Sequence, residues 1–233
     1  MNEISPLFHQ INIITHIVAG SVALLLGLTA ILTRKGGKRH TISGRLFLVF
    51  LTIVIITGLI GVLVFGRNTF LLVITMLSAY VGFSGYRALK TKSNQFKILD
   101  AAVAVITLIT VFYFIYYFRS IGMIWSPVII YSTVGYLLFV ITYDFIRYLI
   151  PQHRYGNLWL YEHILKMMSA FSGILSAFTG TVFPQYQPYS QFLPSVLGTL
   201  VAIGFMIYCY NKKLFVATSS SHDETPPLTQ HSL

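Results

Sequence analysis

The chain has 233 residues, of which 55% are hydrophobic and only 9% charged. A soluble domain carries about 25% charged residues, so a water-facing globule, a disordered chain and a nucleic-acid-binding arm all misfit this composition. The net charge of +10 then reads as the basic excess that membrane proteins gather in cytoplasmic loops, and the lone Cys209 makes no internal disulfide.

Uncharged runs cover residues 4–33, 46–66, 68–86, 101–118, 120–143 and 167–211. A helix needs about 20 mainly apolar residues to cross roughly 30 Å of hydrocarbon. Each of the first five runs predicts one span, and the last predicts two, parted where Pro184, Pro188 and Pro194 interrupt a helix. The expected fold is an all-α, polytopic transmembrane bundle of seven spans, at about 11–33, 44–66, 69–87, 99–118, 123–144, 164–183 and 192–211. These form one domain over 1–213, followed by a polar tail, 214–233, expected to be disordered. Unbroken hydrophobicity excludes an outer-membrane barrel, whose strands alternate apolar and polar. The start, Met1-Asn-Glu-Ile-Ser, lacks the basic residues of a cleavable signal, so the first span is expected to be retained.

Basic residues orient these spans. Arg34, Lys35, Lys38, Arg39 and Arg45 fall in the first connection, Arg87, Lys90, Lys92 and Lys97 in the third, and Arg147, Arg154 and Lys166 in or beside the fifth. Lys212 and Lys213 follow the last span, leaving only Arg67 and Arg119 for the other side. The positive-inside rule therefore puts the N-terminus outside and the C-terminus in the cytoplasm. Belt aromatics agree: Tyr113, Tyr116, Tyr117 and Trp125 outside, Tyr148, Trp159 and Tyr161 inside.

Small residues mark the faces on which lipid-embedded helices pack. His16, Gly20, Ala23 and Gly27 share one face of the first span, and Ser78, Gly82 and Gly85 one face of the third. In the sixth, Glu162, Lys166, Ser169, Gly173, Ser176 and Gly180 repeat at alternating spacings of 4 and 3. Helix packing is the primary reading of all three stripes.

Polar residues at depth carry the functional signal, because each is costly unless paired or hydrated. His16 lies in the outer third of the first span, with His9 on roughly the same face nearer water. The others gather at cytoplasmic helix ends: His40, Arg45, Arg87, Asp100, Asp144, Glu162, His163 and Lys166. Glu162 and Lys166 are spaced to pair along one helix, while Asp100 and Asp144 are each in reach of Arg45, Arg87 or Arg147. Two readings stand for this rim: a ring of interfacial ion pairs, or a cytoplasm-facing polar site.

A retinal protein needs a Lys in its last span, and seven-span zinc hydrolases need a His pair there; residues 192–211 have neither. The His-Glu-x-x-His, Gly-x-Ser-x-Gly and phosphate-loop motifs are missing, so the chain leans away from enzymes. A pair of bis-His haems is unsupported, because His16 has no His partner on another span; one b-type haem or a metal, held by His40 with His163 or by His16 with an unknown partner, stays open.

One set of motifs has a known likeness. His16-x3-Gly20-x6-Gly27, a basic loop and His40-x3-Gly44-Arg45 are followed by Ser78-Ala-Tyr80, Gly85-Tyr-Arg-Ala88 and His163-Ile-Leu-Lys166-Met167. This pattern resembles an uncharacterised family of prokaryotic predicted membrane proteins, in its Bacteroidetes-type form. Where that family often carries His-Arg-Trp-Met after the third span, this chain has Asn94-Gln-Phe-Lys97. The resemblance implies a multi-pass protein of a bacterial inner membrane and leaves its chemistry open. The functional expectation is a multi-pass protein, solute-handling or proton-linked, with a polar interior around His16 and a polar inner rim. Alternatives are a redox protein holding one haem or metal, and a structural membrane component. The lipid bilayer is the expected partner, nucleic acid is not expected, and protein partners stay open.

Overall fold

The computed structural model describes residues 6–66, 70–120 and 127–212. Arg67, Trp125, Lys213 and the polar tail lie outside them. Among the described residues the chain is helical throughout, without strands: α1 (Pro6–Leu32), α2 (Lys38–Leu63), α3 (Phe70–Thr91), α4 (Ile98–Ser120), α5 (Pro127–Ile146), the single turn α6 (Gln152–Tyr155), α7 (Leu158–Val182) and α8 (Tyr189–Asn211). Several helices run past the expected spans, because the charges that end an apolar run do not end a helix. Lys38 to Ser43 extend α2, and Leu158 to His163 extend α7.

Five described helices, α1, α2, α3, α4 and α8, are long and apolar enough to cross a membrane. Their outward faces carry large bare hydrophobics such as Leu25 on α1, Ile109 on α4 and Leu197 on α8. So much exposed apolar surface suits lipid and not water.

The bundle is built around α3 and α7. Over half of the apolar window of α3 is buried, 56%, against 17–22% for the four other helices. α3 packs against α2, α4, α5 and α7, and α7 also takes α8 and an edge of α1, while α1 and α2 form a close pair. Small residues set these approaches. A methyl on Gly173 of α7 would overlap the Ser78 hydroxyl of α3, and one on Gly198 of α8 would overlap that of Ser172. Gly85 of α3 faces the Lys166 stem, whose Cβ lies 3.0 Å from a built methyl. Gly27 of α1 faces the Phe171 ring. Ala23, Gly82, Ser176 and Gly180 are also buried, and Gly20 and Ser169 partly so.

The connections gather at two ends. At one, the Lys35 ammonium sits 4.3 Å over the Phe205 ring, Lys92 lies 4.9 Å over Trp159, and the rings of Phe96 and Tyr148 meet at 5.3 Å. At the other, Phe65 at the end of α2 meets Phe8 and His9 of α1. Gly36, with φ +73°, makes the left-handed turn between α1 and α2 that other residues resist.

Pro194 departs from the expected break. It lies inside α8, buried, and the helix begins five residues before it. Proline leaves the Ser190 carbonyl without its helical donor, and that oxygen lies 2.5 Å from the Thr179 hydroxyl of α7. A neighbouring helix supplies what the proline removes, the usual remedy in lipid.

Candidate functional site

The polar residues that the sequence placed in one rim fall into separate groups. Asp144, Glu162 and Lys166 come together with Arg147 between α3, α5 and α7, where they keep 7%, 4%, 2% and 3% of their surface exposed. Lys166 Nζ donates to Asp144 Oδ1 and lies 3.6 Å from Glu162 Oε2. Arg147 Nη1 donates to Glu162 Oε2 at 2.6 Å, while its Nε stands 3.8 Å from Asp144 Oδ1 without a hydrogen bond. Two carboxylates thus balance two cations. Tyrosine and serine complete the acids' shells: Tyr80 and Ser84 donate to Asp144 Oδ2 at 2.8 and 2.7 Å, and Tyr143 donates to Glu162 Oε1 at 2.9 Å.

Local structure explains the convergence. Asp144 closes α5, and the chain then tightens into a single 3-10 turn, Arg147–Leu149, which swings Arg147 back under α7. The buried Asn94 amide holds that turn, donating to the carbonyls of Arg147 (3.1 Å) and Ile150. Glu162 and Lys166, one helical turn apart on α7, face the same side. Burial works against the charge on Arg147, but the Glu162 and Asp144 carboxylates outweigh it and hold the guanidinium above its ordinary pKa. The Tyr155 phenol, 3.4 Å from Arg147, is raised by burial and by the charge on Glu162.

Arg87 and Asp100 form a second, half-buried pair, with Nε donating to Oδ1 at 2.7 Å and Nη2 to Oδ2 at 3.3 Å. A cleft of about 10 Å³ runs from this pair to Asp144 past Tyr80 and Ser84. That is the room one water needs.

The histidines stand elsewhere. His40 Nδ1 meets the Ala30 carbonyl at 2.9 Å, and His163 Nδ1 meets the Gly85 carbonyl at 3.0 Å. The two rings are near enough to interact electrostatically. A carbonyl only accepts, so both rings carry a proton on Nδ1. His16 Nδ1 lies 2.9 Å from Thr57 Oγ1, whose own proton goes to Ile53 or Val54. From His16 to Ala30 is roughly 21 Å along α1 at 1.5 Å per residue, so His16 joins neither the ion cluster nor the other histidines. The buried Asn12 bonds beside it to the Thr57 carbonyl at 3.1 Å. Arg45 is exposed on α2. No group of three or more His, Cys, Asp or Glu occurs among the described residues in a metal-holding arrangement.

Sequence reasoning passed over Tyr80, Ser84, Tyr143 and Asn94 as site residues, and named Arg147 only as one of three cations in reach of Asp100 and Asp144. No family model, no curated protein and no solved structure matches the chain.

Proposed function

We propose that the protein is a seven-span protein of a bacterial inner membrane, with its N-terminus outside and its C-terminus cytoplasmic. In this reading it handles a small solute in a proton-linked way, and Asp144 is its proton-binding group. The motif likeness, a Bacteroidetes-type member of the membrane family described above, belongs to the same reading.

The observation that carries it is the neutral four-charge cluster joined by a one-water cleft to the Arg87–Asp100 pair. Stability alone is a weak reason to keep such a cluster, since well-packed apolar residues commonly serve as well or better. Ionisable groups within a membrane bundle are functional by default. Protonating Asp144 would release Lys166 and alter the balance on Glu162 and Arg147, which ties proton uptake to the packing of α5 on α7. His16, held by Thr57, is the separate polar station toward the outer end.

Proteoliposomes loaded with a pH-sensitive dye test this under an imposed potassium diffusion potential. Proton entry above that of protein-free vesicles is expected, and Asp144→Asn should abolish it while Arg45→Ala leaves it intact. Entry no faster than in protein-free vesicles, or unchanged in Asp144→Asn, overturns the reading.

A second reading has its own observation. The neighbouring His40 and His163 both have Nδ1 bound to a carbonyl, the second-shell arrangement that readies Nε2 for a metal or haem iron. A reduced-minus-oxidised visible spectrum with metal analysis checks it; a Soret band or stoichiometric metal lost in His163→Ala is the result it requires.

A further inference from the structure

We propose that a cavity between α3, α5, α7 and α8 binds a neutral amphiphile that enters sideways from the bilayer. The inference rests on membrane embedding but not on proton movement. The cavity measures about 330 Å³ and no charged side chain lines it. That volume is at the lower end of ligand pockets, roughly 300–1,000 Å³, which suits the polar end of a larger molecule.

Its polar edge comes from three helices. Tyr136 Oη on α5 and Ser169 Oγ on α7 are 2.6 Å apart, and Ser176 Oγ on α7 and Ser195 Oγ on α8 are 3.0 Å apart. Either hydroxyl can be the donor within the Tyr136–Ser169 pair, since the Ser169 proton can go to Tyr136 or to the Leu165 carbonyl at 2.8 Å, and the Tyr136 hydroxyl accordingly meets a ligand as acceptor or donor. Ser176 and Ser195 share one hydrogen bond, which leaves one hydroxyl proton to donate. The edge therefore offers hydroxyl groups at two levels. Ser169 and Ser176 are about 10 Å apart along α7 at 1.5 Å per residue. A ligand meeting both carries more than one hydroxyl or carbonyl.

The rest of the lining includes an apolar part, with Ile74 and Leu77 from α3 and Phe192 and Val196 from α8. At the mouth, Ser132 of α5 and Thr199 and Leu200 of α8 are exposed on the bundle's outer surface, and α5 and α8 flank the cavity without forming a packed pair. A hydrocarbon chain can pass between them into lipid while the head stays on the hydroxyl edge. A carboxylate or phosphate would find no cation there: the nearest on α7, Lys166, is committed to Asp144 and Glu162. The ligand class is a neutral lipid with a polyhydroxyl or ester head.

The full chain in phosphatidylcholine vesicles is probed with a monoacylglycerol bearing a diazirine in its acyl chain, and crosslinks are mapped by mass spectrometry. Labelling is expected on the α8 segment containing Phe192 and Leu200, reduced by unlabelled monooleoylglycerol and not by oleate. Thr199→Trp, which fills the mouth from an exposed position, should remove the label. Ser169→Ala combined with Ser176→Ala should weaken competition about tenfold, as for one or two lost hydrogen bonds. Labelling that survives Thr199→Trp, or that oleate reduces as well as monooleoylglycerol does, overturns the proposal. Proton entry in the same vesicles is scored separately, so either reading can fail alone.

Discussion

Lys166 is the residue on which most of the buried cluster turns. It reaches Asp144 and Glu162 together, from a position with 2% of its surface exposed. Removing one member of a buried ionic network strands its partner's charge, at about 3–5 kcal/mol. Lys166→Met is therefore expected to lower the melting temperature of the detergent-solubilised protein sharply. The double change Lys166→Met with Asp144→Asn should recover most of the loss, because Arg147 and Glu162 remain a balanced pair at 2.6 Å. Thermal unfolding of the two singles and the double gives the coupling directly; additive losses would mean the four groups do not act as one network. Asp144, Glu162 and Lys166 were legible in the sequence because a charge beside an apolar run is conspicuous. Their uncharged partners were not: Tyr80 and Tyr143 merge into a chain with 15% aromatic residues, and nothing local singled Arg147 out from Arg45 and Arg87 as the cation for Asp144. The bond from Tyr80 to Asp144 spans 64 positions, and no local pattern announces it.

At the scale of the element, periodicity of small residues located the packed faces of α1, α3 and α7, since close helix approach in lipid demands them. Which small residue meets which was hidden, because register between helices depends on both partners. Pro194 shows the same limit: its helix-breaking chemistry is local, but the hydroxyl that offsets it comes from another helix. This makes a prediction specific to the α7–α8 pair. Thr179→Val removes the donor near the half-buried Ser190 carbonyl and should cost about 1 kcal/mol, as for one lost hydrogen bond. In a Pro194→Ala background the restored amide at position 194 can bond Ser190 itself. Thr179→Val should then be nearly silent. Thermal unfolding across the four combinations decides it, and an equal cost in both backgrounds would show that Thr179 stabilises the bundle by another route.

At the scale of the molecule, the contacts at each end of the bundle bear on how often the chain crosses. Lys35 beside Phe205, Lys92 beside Trp159 and Phe96 beside Tyr148 bring the basic connections together, while Phe65 meets the start of α1 at the other end. Two helices decide between five and seven crossings. α5 has 20 residues and α7 has 25, about 30 and 37 Å of helix, enough to span the hydrocarbon layer. Glu162 and Lys166 lower the apolar character of α7, but both lie in its first turns and inside a neutral cluster, which offsets their transfer cost. Seven crossings therefore predict a definite pattern for single cysteines placed in a Cys209→Ser background and treated with a membrane-impermeant maleimide. Cysteines at Gly36, Ser93 and Asn157 should react only after the membrane is opened, and cysteines at Gly66 and Tyr186 should react in intact spheroplasts. Asn157 and Tyr186 flank α7 closely, so labelling of both from one side would show that α7 does not cross, and labelling of Gly36 from outside would reverse the orientation.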